Sequence, residues 1–241
     1  GTPMNTARDN FGAAVVAGKI VAAGGQTNSA NAVSSAEIFD PADPGKWTTA
    51  ASMATARAYH CVAALGPLVY AMGGTSNGYN QALKTVEAYD IKANTWAAVA
   101  DMITARQYAA AAALLGKLYI MGGCNGNACT DVEAYDPTAK KWTAAPPMGT
   151  ARAYFAAATL GDFIYVTGNY PATTSAEAFG AWHQCNPAAA GGCDVCGACC
   201  DGKTYPKPGP ACEACFEGTC HDTLDPTPAP TPAPTPAPTP A

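Results

Sequence analysis

Residues 102–142 read MITARQYAAAAALLGKLYIMGGCNGNACTDVEAYDPTAKKW, which is one complete copy of a unit that recurs along the chain. The copy contains two short apolar runs, a glycine pair, a polar loop, a third apolar run and a closing tryptophan. Each run has about four to eight residues and is bounded by Gly, Pro, Asn or Asp, so strands are favoured over helices. Four short strands per unit are the pattern of a β-propeller blade.

The unit begins four times with the string M-x-T-A-R, at spacings of 49, 49 and 46 residues. The second apolar run of each copy ends in a glycine pair, which is weakened to Gly-Asn in the fourth copy. An aromatic residue follows the third run, and a tryptophan closes three copies. The glycine positions are Gly24–Gly25, Gly73–Gly74, Gly122–Gly123 and Gly168–Asn169, and the tryptophans are Trp47, Trp96 and Trp142.

The double glycine, the later aromatic residue and the tryptophan about seven residues beyond it resemble the Kelch repeat. The resemblance covers residues 4–180 and implies an all-β Kelch-type β-propeller domain over residues 1–182. Kelch propellers usually have six or seven blades. We expect a small closed ring of four, in which residues 1–4 pair with blade four, and the alternative is part of a larger ring. The aromatic and tryptophan side chains are expected to pack between blades.

Two charged residues recur in every copy, and a group used four times is expected to hold the scaffold together. We predict buried charge-assisted pairs between them. The loops after the glycines differ in every copy and all project from one rim, where scaffolds carry recognition. The repeated residues are Arg8, Arg57, Arg106 and Arg152, with Glu37, Glu87, Glu133 and Glu177.

No catalytic or cofactor site is predicted. The net charge is −5 with no basic cluster, which argues against nucleic-acid binding, and no run of 18 apolar residues is present to span a membrane. His60, His183 and His221 are too few for the Tyr/His/Cys centre of the Kelch copper oxidases. A calcium site at Asn125, Asn127 and Asp131 is a weaker alternative.

Cysteine usage favours an oxidising compartment. Cys124 and Cys129 bracket a tight loop and are expected to form a disulfide, while Cys61 is expected to be buried and reduced. Residues 183–222 form a Cys-rich module in which four disulfides are favoured over a zinc ribbon at Cys193, Cys196, Cys212 and Cys215. The eight cysteines of the module are Cys185, Cys193, Cys196, Cys199, Cys200, Cys212, Cys215 and Cys220.

Residues 223–241 form a Pro/Thr/Ala stalk or linker that favours polyproline II. O-glycosylation is expected at Thr227, Thr231, Thr235 and Thr239. The whole predicts a non-enzymatic extracellular or cell-surface structural glycoprotein of a wall, sheath or filament. Its partners would be other copies of itself, matrix or wall components, or carbohydrate. The alternatives are a carbohydrate- or protein-binding module that uses the rim loops, and the non-catalytic part of a secreted enzyme.

Overall fold

The computed structural model describes residues 2–27, 31–76 and 81–180, together with the backbone of two short strands near the C-terminus. The chain divides into two units, Gly1–Ala181 and Trp182–Ala241. In the second unit, Cys215–Phe216 pairs with Thr219–Cys220 in antiparallel register. The disulfides or zinc predicted for residues 183–222 and the glycosylated threonines lie outside the described residues.

The first unit consists of four antiparallel sheets, each with its strands in chain order. This arrangement confirms the prediction of Kelch-type blades. Blade one contains β1 (Gly12–Val16), β2 (Lys19–Ala23), β3 (Ala36–Phe39) and β4 (Trp47–Ala50). Blade two contains β5 (Cys61–Leu65), β6 (Leu68–Met72), β7 (Val86–Asp90) and β8 (Thr95–Val99). Blade three contains β9 (Ala110–Leu114), β10 (Lys117–Met121), β11 (Val132–Asp136) and β12 (Lys141–Ala145), and blade four contains β13 (Ala156–Leu160), β14 (Phe163–Thr167) and β15 (Ala176–Gly180).

The core lies between the blades, because alternate residues of each strand point to opposite faces of a sheet. In blade three, Leu118 and Ile120 pack toward blade two, whereas Tyr119 and Met121 pack toward blade four. We call the face toward the next blade in the chain the leading face, and the opposite one the trailing face. A single blade cannot bury both faces, so the blades stabilise one another. The described part of the chain has no helix long and apolar enough to cross a membrane.

The four blades form an arrangement that is open at one point. The innermost strands contact one another in the order β1, β5, β9 and β13, but in the described residues β13 makes no comparable contact with β1. The leading face of blade four is therefore uncovered, and Leu160 and Tyr165 are 72% and 45% exposed. The expectation of a closed ring of four blades is wrong for residues 2–180.

The N-terminal segment lies on blade one rather than blade four. The Trp47 indole Nε1 donates to the Thr2 carbonyl at 3.2 Å, and the Thr2 hydroxyl donates to the Pro44 carbonyl at 2.7 Å. The Asn5 side-chain amide donates to the Trp47 carbonyl at 2.9 Å. These three bonds hold the segment to its own blade, so the predicted pairing of residues 1–4 with blade four is wrong.

Candidate functional site

The repeated arginines are buried inside the blades. In blade two the Arg57 side chain is 0% exposed, and its Nη2 lies 3.0 Å from the Glu87 Oε1. The guanidinium also donates to the carbonyls of Gly73 and Thr85 and to the Thr85 hydroxyl, each at 2.9 Å. The same ion pair occurs in the other blades as Arg8–Glu37, Arg106–Glu133 and Arg152–Glu177, at 2.9, 2.8 and 2.9 Å. This geometry agrees with the structural role predicted for both sets.

The repeated glutamates also fix the M-x-T-A-R turn. Glu87 accepts hydrogen bonds from the backbone amides of Ala54 at 2.7 Å and Thr55 at 3.0 Å. Burial raises the pKa of the equivalent Glu37, but hydrogen bonds from Arg8 and from the amides of its own turn outweigh burial and hold that pKa below its ordinary value. The Glu37 carboxylate therefore stays ionised, and it connects the turn to the guanidinium of Arg8.

The glycine pairs form the junctions between blades. The Gly25 amide of blade one donates to the Arg57 carbonyl of blade two at 2.7 Å. A Cβ on the preceding Gly24, which has a φ of +66°, would lie 2.5 Å from that same carbonyl oxygen. Glycine is required because a side chain there would meet the backbone of the next blade. In blade four a Cβ on Gly168 would meet nothing closer than 3.9 Å.

The tryptophans connect blades one, two and three to the segments that enter them. Trp96 donates from its indole to the Ala51 carbonyl at 2.9 Å, and Trp142 donates to the Ala100 carbonyl at 2.9 Å. The ring of Trp96 packs on Tyr89 with centroids 5.0 Å apart. The aromatic residues therefore pack at the blade junctions, as the repeat pattern predicts.

A row of tyrosines lies on the rim, where the innermost strands begin. Tyr59, Tyr108 and Tyr154 each follow a repeated arginine by two residues and have φ values of +56°, +61° and +54°. The Tyr59 and Tyr108 rings are in edge contact at 4.8 Å, and those of Tyr108 and Tyr154 stack at 3.8 Å. A left-handed backbone is uncommon for so bulky a residue, and such strain is concentrated at functional sites.

The row ends in two exposed tyrosines on blade four. Tyr154 is 51% exposed, Tyr170 is 72% exposed, and their ring centroids lie 5.7 Å apart. The Tyr170 amide donates to the Ala153 carbonyl at 3.0 Å, which fixes the loop that carries it. Tyr170 belongs to the fourth of the loops for which recognition was predicted, whereas Tyr154 lies outside these loops and was not predicted. The recurrence of tyrosine two residues after the arginine in three copies was the available signal for Tyr154.

The disulfide loop borders the exposed tyrosines. Cys124 and Cys129 are joined with Cα atoms 5.8 Å apart, as their spacing predicts. The Cys129 amide lies 3.4 Å from the Arg152 carbonyl at the start of blade four. Within the loop, Asn125 and Asn127 are exposed, and so is Asp131 after it. The rim of blades three and four therefore combines flat aromatic faces with amide and carboxylate groups.

Arg106 has different partners from its three equivalents. Its Nη1 lies 3.3 Å from the Cys124 Sγ, and Asp131 stands where the other blades have a hydroxyl. Among the described residues, Cys124, Cys129 and Asp131 form a group with metal-ligating atoms within 4.8 Å of one another. Because the two sulfur atoms are bonded to each other, they are not thiolate ligands. The hydroxyls of the other blades belong to Ser35, Thr85 and Ser175.

His60 and Cys61 lie in the core rather than on the rim. Burial, with the nearby Arg57 guanidinium, lowers the pKa of His60 to about 3. Cys61 is free and buried, its thiol donates to the Ala109 carbonyl at 3.0 Å, and burial raises its pKa to about 12. This placement agrees with the expectation of a buried, reduced Cys61. His183 and His221 lie outside the described residues.

Repeated antiparallel blades joined at glycine pairs define the chain as a propeller-type scaffold. The family model described as the KLHDC2/KLHL20/DRC7 Kelch-repeats domain matches residues 2–169. The chain therefore belongs to the Kelch-repeat family. A search of curated proteins found no match.

Proposed function

We propose that the chain is a non-enzymatic recognition module that binds its ligand through the rim of blades three and four. The observation that carries this proposal is the pair of exposed tyrosines, Tyr154 and Tyr170, held on a fixed backbone beside the disulfide loop. Tyrosine supplies a large contact area with few rotatable bonds, which is why it is enriched at binding surfaces. The repeated arginines and glutamates are occupied within the scaffold, so recognition is left to groups of the rim.

Carbohydrate is the ligand class that fits this surface best. A sugar ring presents an apolar face that stacks on tyrosine, and its hydroxyls need donors and acceptors around that face. The side-chain amides of Asn125 and Asn127 supply both, and the carboxylate of Asp131 accepts. All three residues are exposed. A protein ligand is the second possibility for the same surface.

The proposed location is extracellular, because a disulfide such as Cys124–Cys129 persists in oxidising compartments and is rare in reducing ones. A structural role follows as a second proposal, in which this head stands on the Pro/Thr-rich stalk as part of a wall, sheath or filament. Intact-mass measurement before and after deglycosylation tests the stalk. An unmodified mass would contradict a structural glycoprotein and leave the rim proposal standing.

The rim proposal is tested with a glycan array followed by titration calorimetry of each bound glycan. Tyr154→Ala and Tyr170→Ala are each expected to weaken binding by about tenfold or more, which corresponds to about 1.4 kcal/mol. The matched control is Tyr165→Ala, which removes a tyrosine of similar exposure from the sheet face of blade four. Glycan binding that survives both rim substitutions would contradict the proposed site, and binding of protein partners alone would contradict the ligand class.

A further inference from the structure

The same pair of aromatic side chains recurs at two of the three junctions within the chain. Between blades three and four, the Tyr119 ring packs edge-on against Phe179 with centroids 5.6 Å apart. Between blades two and three, Tyr70 packs against Tyr135 at 5.8 Å. In both cases a tyrosine on the leading face of one blade meets an aromatic ring on the trailing face of the next. The junction is therefore an apolar interface with a fixed direction, in which the leading face of one blade packs on the trailing face of the next.

Blade four has the leading face of such a junction with no blade against it. Leu160 and Tyr165 occupy the positions of Leu114 and Tyr119 in blade three. Leu114 and Tyr119 are 4% and 8% exposed, whereas Leu160 and Tyr165 are 72% and 45% exposed. The intervening Ile164 is fully buried against blade three. At these two positions blade four therefore carries the large apolar side chains of a packed face, although the face is open to solvent.

Blade one has the matching trailing face. Phe39 and Trp47 are in ring contact at 5.4 Å and occupy the positions of Tyr135 and Trp142 in blade three. The blade-three residues are 3% and 4% exposed, whereas Phe39 and Trp47 are only half-buried. On the innermost strand of the same face, Val15 is 65% exposed. The two uncovered faces are thus the two halves of one junction.

Each junction within the chain also has two backbone hydrogen bonds at the rim. Between blades three and four, the Gly123 amide donates to the Arg152 carbonyl at 3.0 Å. In the opposite direction, the Tyr154 amide donates to the Tyr108 carbonyl at 2.8 Å. Both bonds have equivalents at the other two junctions. One blade therefore supplies an amide donor and a carbonyl acceptor, and the next blade supplies the carbonyl and the amide that pair with them.

The groups that would form these two bonds are present at the open ends. Blade four has the Asn169 amide as donor and the Tyr154 carbonyl as acceptor. Blade one has the Arg8 carbonyl as acceptor and the Asn10 amide as donor. The described part of the chain supplies no hydrogen-bond partner for any of these four groups. The leading face of blade four and the trailing face of blade one therefore match both in their apolar side chains and in their hydrogen-bond donors and acceptors.

We propose that copies of this chain associate head to tail, with the leading face of blade four of one copy packed on the trailing face of blade one of the next. In this contact Tyr165 lies against Phe39 of the neighbouring copy, as Tyr119 lies against Phe179 within one chain. The apolar part of this contact consists of sheet faces, and at the rim the contact uses the backbone carbonyl of Tyr154 and the backbone amide of Asn169. It therefore adjoins the exposed tyrosines of the rim, but the mass measurement that tests it requires no ligand and is independent of the function proposed above. Association covers two exposed apolar faces that would otherwise invite non-specific contacts.

The contact is heterologous, because each copy uses two different faces. Heterologous contacts close into a ring if the rotation permits and otherwise extend into a filament. Two copies that closed would bring eight blades together, which is within the known range of propellers. A mass that stops at twice the monomer indicates the ring, and a mass that grows with concentration indicates the filament. Both results support the head-to-tail contact.

The experiment measures the mass of the chain by light scattering across a range of concentrations. Leu160→Glu and Val15→Glu each place a carboxylate on one half of the junction. Each is expected to weaken association by about a hundredfold or more, because burial of an unpaired charge is strongly unfavourable. Leu115→Glu is the matched control, since Leu115 is 55% exposed and lies in the turn between β9 and β10. It should leave association unchanged.

Mixing the two variants tests the polarity of the contact. Leu160→Glu retains an intact blade one and Val15→Glu retains an intact blade four, so the mixture should form a heterodimer although each variant alone is monomeric. Circular dichroism should show that both variants remain folded. A wild-type chain that stays monomeric at every concentration would overturn the proposal. A mixture that fails to associate would do the same.

Discussion

The Arg106 guanidinium lies 2.8 Å from the Glu133 carboxylate, and the two side chains are 0% and 3% exposed. The same carboxylate accepts hydrogen bonds from the Ile103 and Thr104 amides, and the guanidinium donates to the Gly122 carbonyl. One ion pair thus connects the turn, the third strand and the glycine pair of a blade. Removing charges of this kind from water is costly, so each ion is tolerated only while its partner is present.

Loss of one partner in blade two should therefore be strongly destabilising. Glu87→Gln keeps the shape of the side chain but leaves Arg57 buried and unpaired, and we expect the free energy of unfolding to fall by about 3–5 kcal/mol. The control is Asp101→Asn, which breaks the exposed pair with Lys84 and should cost less than about 1 kcal/mol. Urea denaturation measures both. Equal losses for the two variants would contradict a scaffold role for the buried pair.

Stability should depend on pH through His60. The folded chain holds the pKa of His60 at about 3, compared with an ordinary value of 6.5. Below about pH 6.5 the unfolded chain binds a proton at His60 that the folded chain does not bind. The free energy of unfolding therefore falls by up to about 1.4 kcal/mol per pH unit as the pH decreases toward 3.

Substitution of His60 by a residue that does not titrate isolates this effect. Between about pH 6.5 and 4.5, His60→Leu should lose roughly 2 kcal/mol less stability than the wild type. Both proteins contain the same carboxylates, so the contribution of the carboxylates cancels in this comparison. Urea denaturation at a series of pH values supplies the comparison. Parallel pH profiles for the two proteins would show that His60 is accessible to protons in the fold.

The thiol of Cys61 should be inert in the folded chain. The thiol is buried, so reagents cannot reach it, and its pKa is raised to about 12, so little of it forms the reactive thiolate. A thiol reagent is expected to leave Cys61 unlabelled in native protein and to label it after denaturation without reductant. Peptide mass spectrometry locates the label and also shows whether Cys124 and Cys129 remain blocked by their disulfide. Rapid native labelling of Cys61 would contradict its burial.

The blades and their scaffold were predictable from the sequence because they depend on short-range patterns. The M-x-T-A-R string combines a buried methionine, amides that donate to the glutamate and a buried arginine, and each part recurs at a fixed distance along the chain. Met53, Arg57 and Glu87 show the full set in blade two. The disulfide was likewise predictable, because Cys124 and Cys129 lie only five residues apart at the two ends of a tight loop.

Ring closure was not predictable from the same patterns. The angle between neighbouring blades results from packing at every junction, such as the close approach of Gly12 to Val62 between blades one and two. No local motif encodes the sum of those angles, and for this reason the expected pairing of residues 1–4 with blade four failed. Exposure of Tyr154 follows from the same open end. Its equivalent Tyr108 is only 8% exposed because it has Tyr154 stacked on it.

The first glycine of each pair offers a matched test of the junctions. Gly122 and Gly168 have φ values of +65° and +87°, so alanine at either position incurs the steric penalty of a left-handed backbone, about 1–2 kcal/mol. A Cβ on Gly122 would also lie 2.5 Å from the Arg152 carbonyl of blade four. That oxygen belongs to the backbone and already accepts the Gly123 amide, so it cannot move aside without breaking the junction.

Gly122→Ala is therefore expected to lower the free energy of unfolding by at least about 2 kcal/mol more than Gly168→Ala, because overpacking adds to the backbone penalty only at Gly122. Urea denaturation should be run at low protein concentration, so that contacts between copies do not contribute to the stability of blade four. Gly66→Ala is a second control, because it has a φ of +57° and no atom within 4 Å of its added Cβ. Gly168→Ala and Gly66→Ala should then have similar costs, and a Gly122→Ala variant no less stable than these two would show that the glycine pair does not hold the blades together.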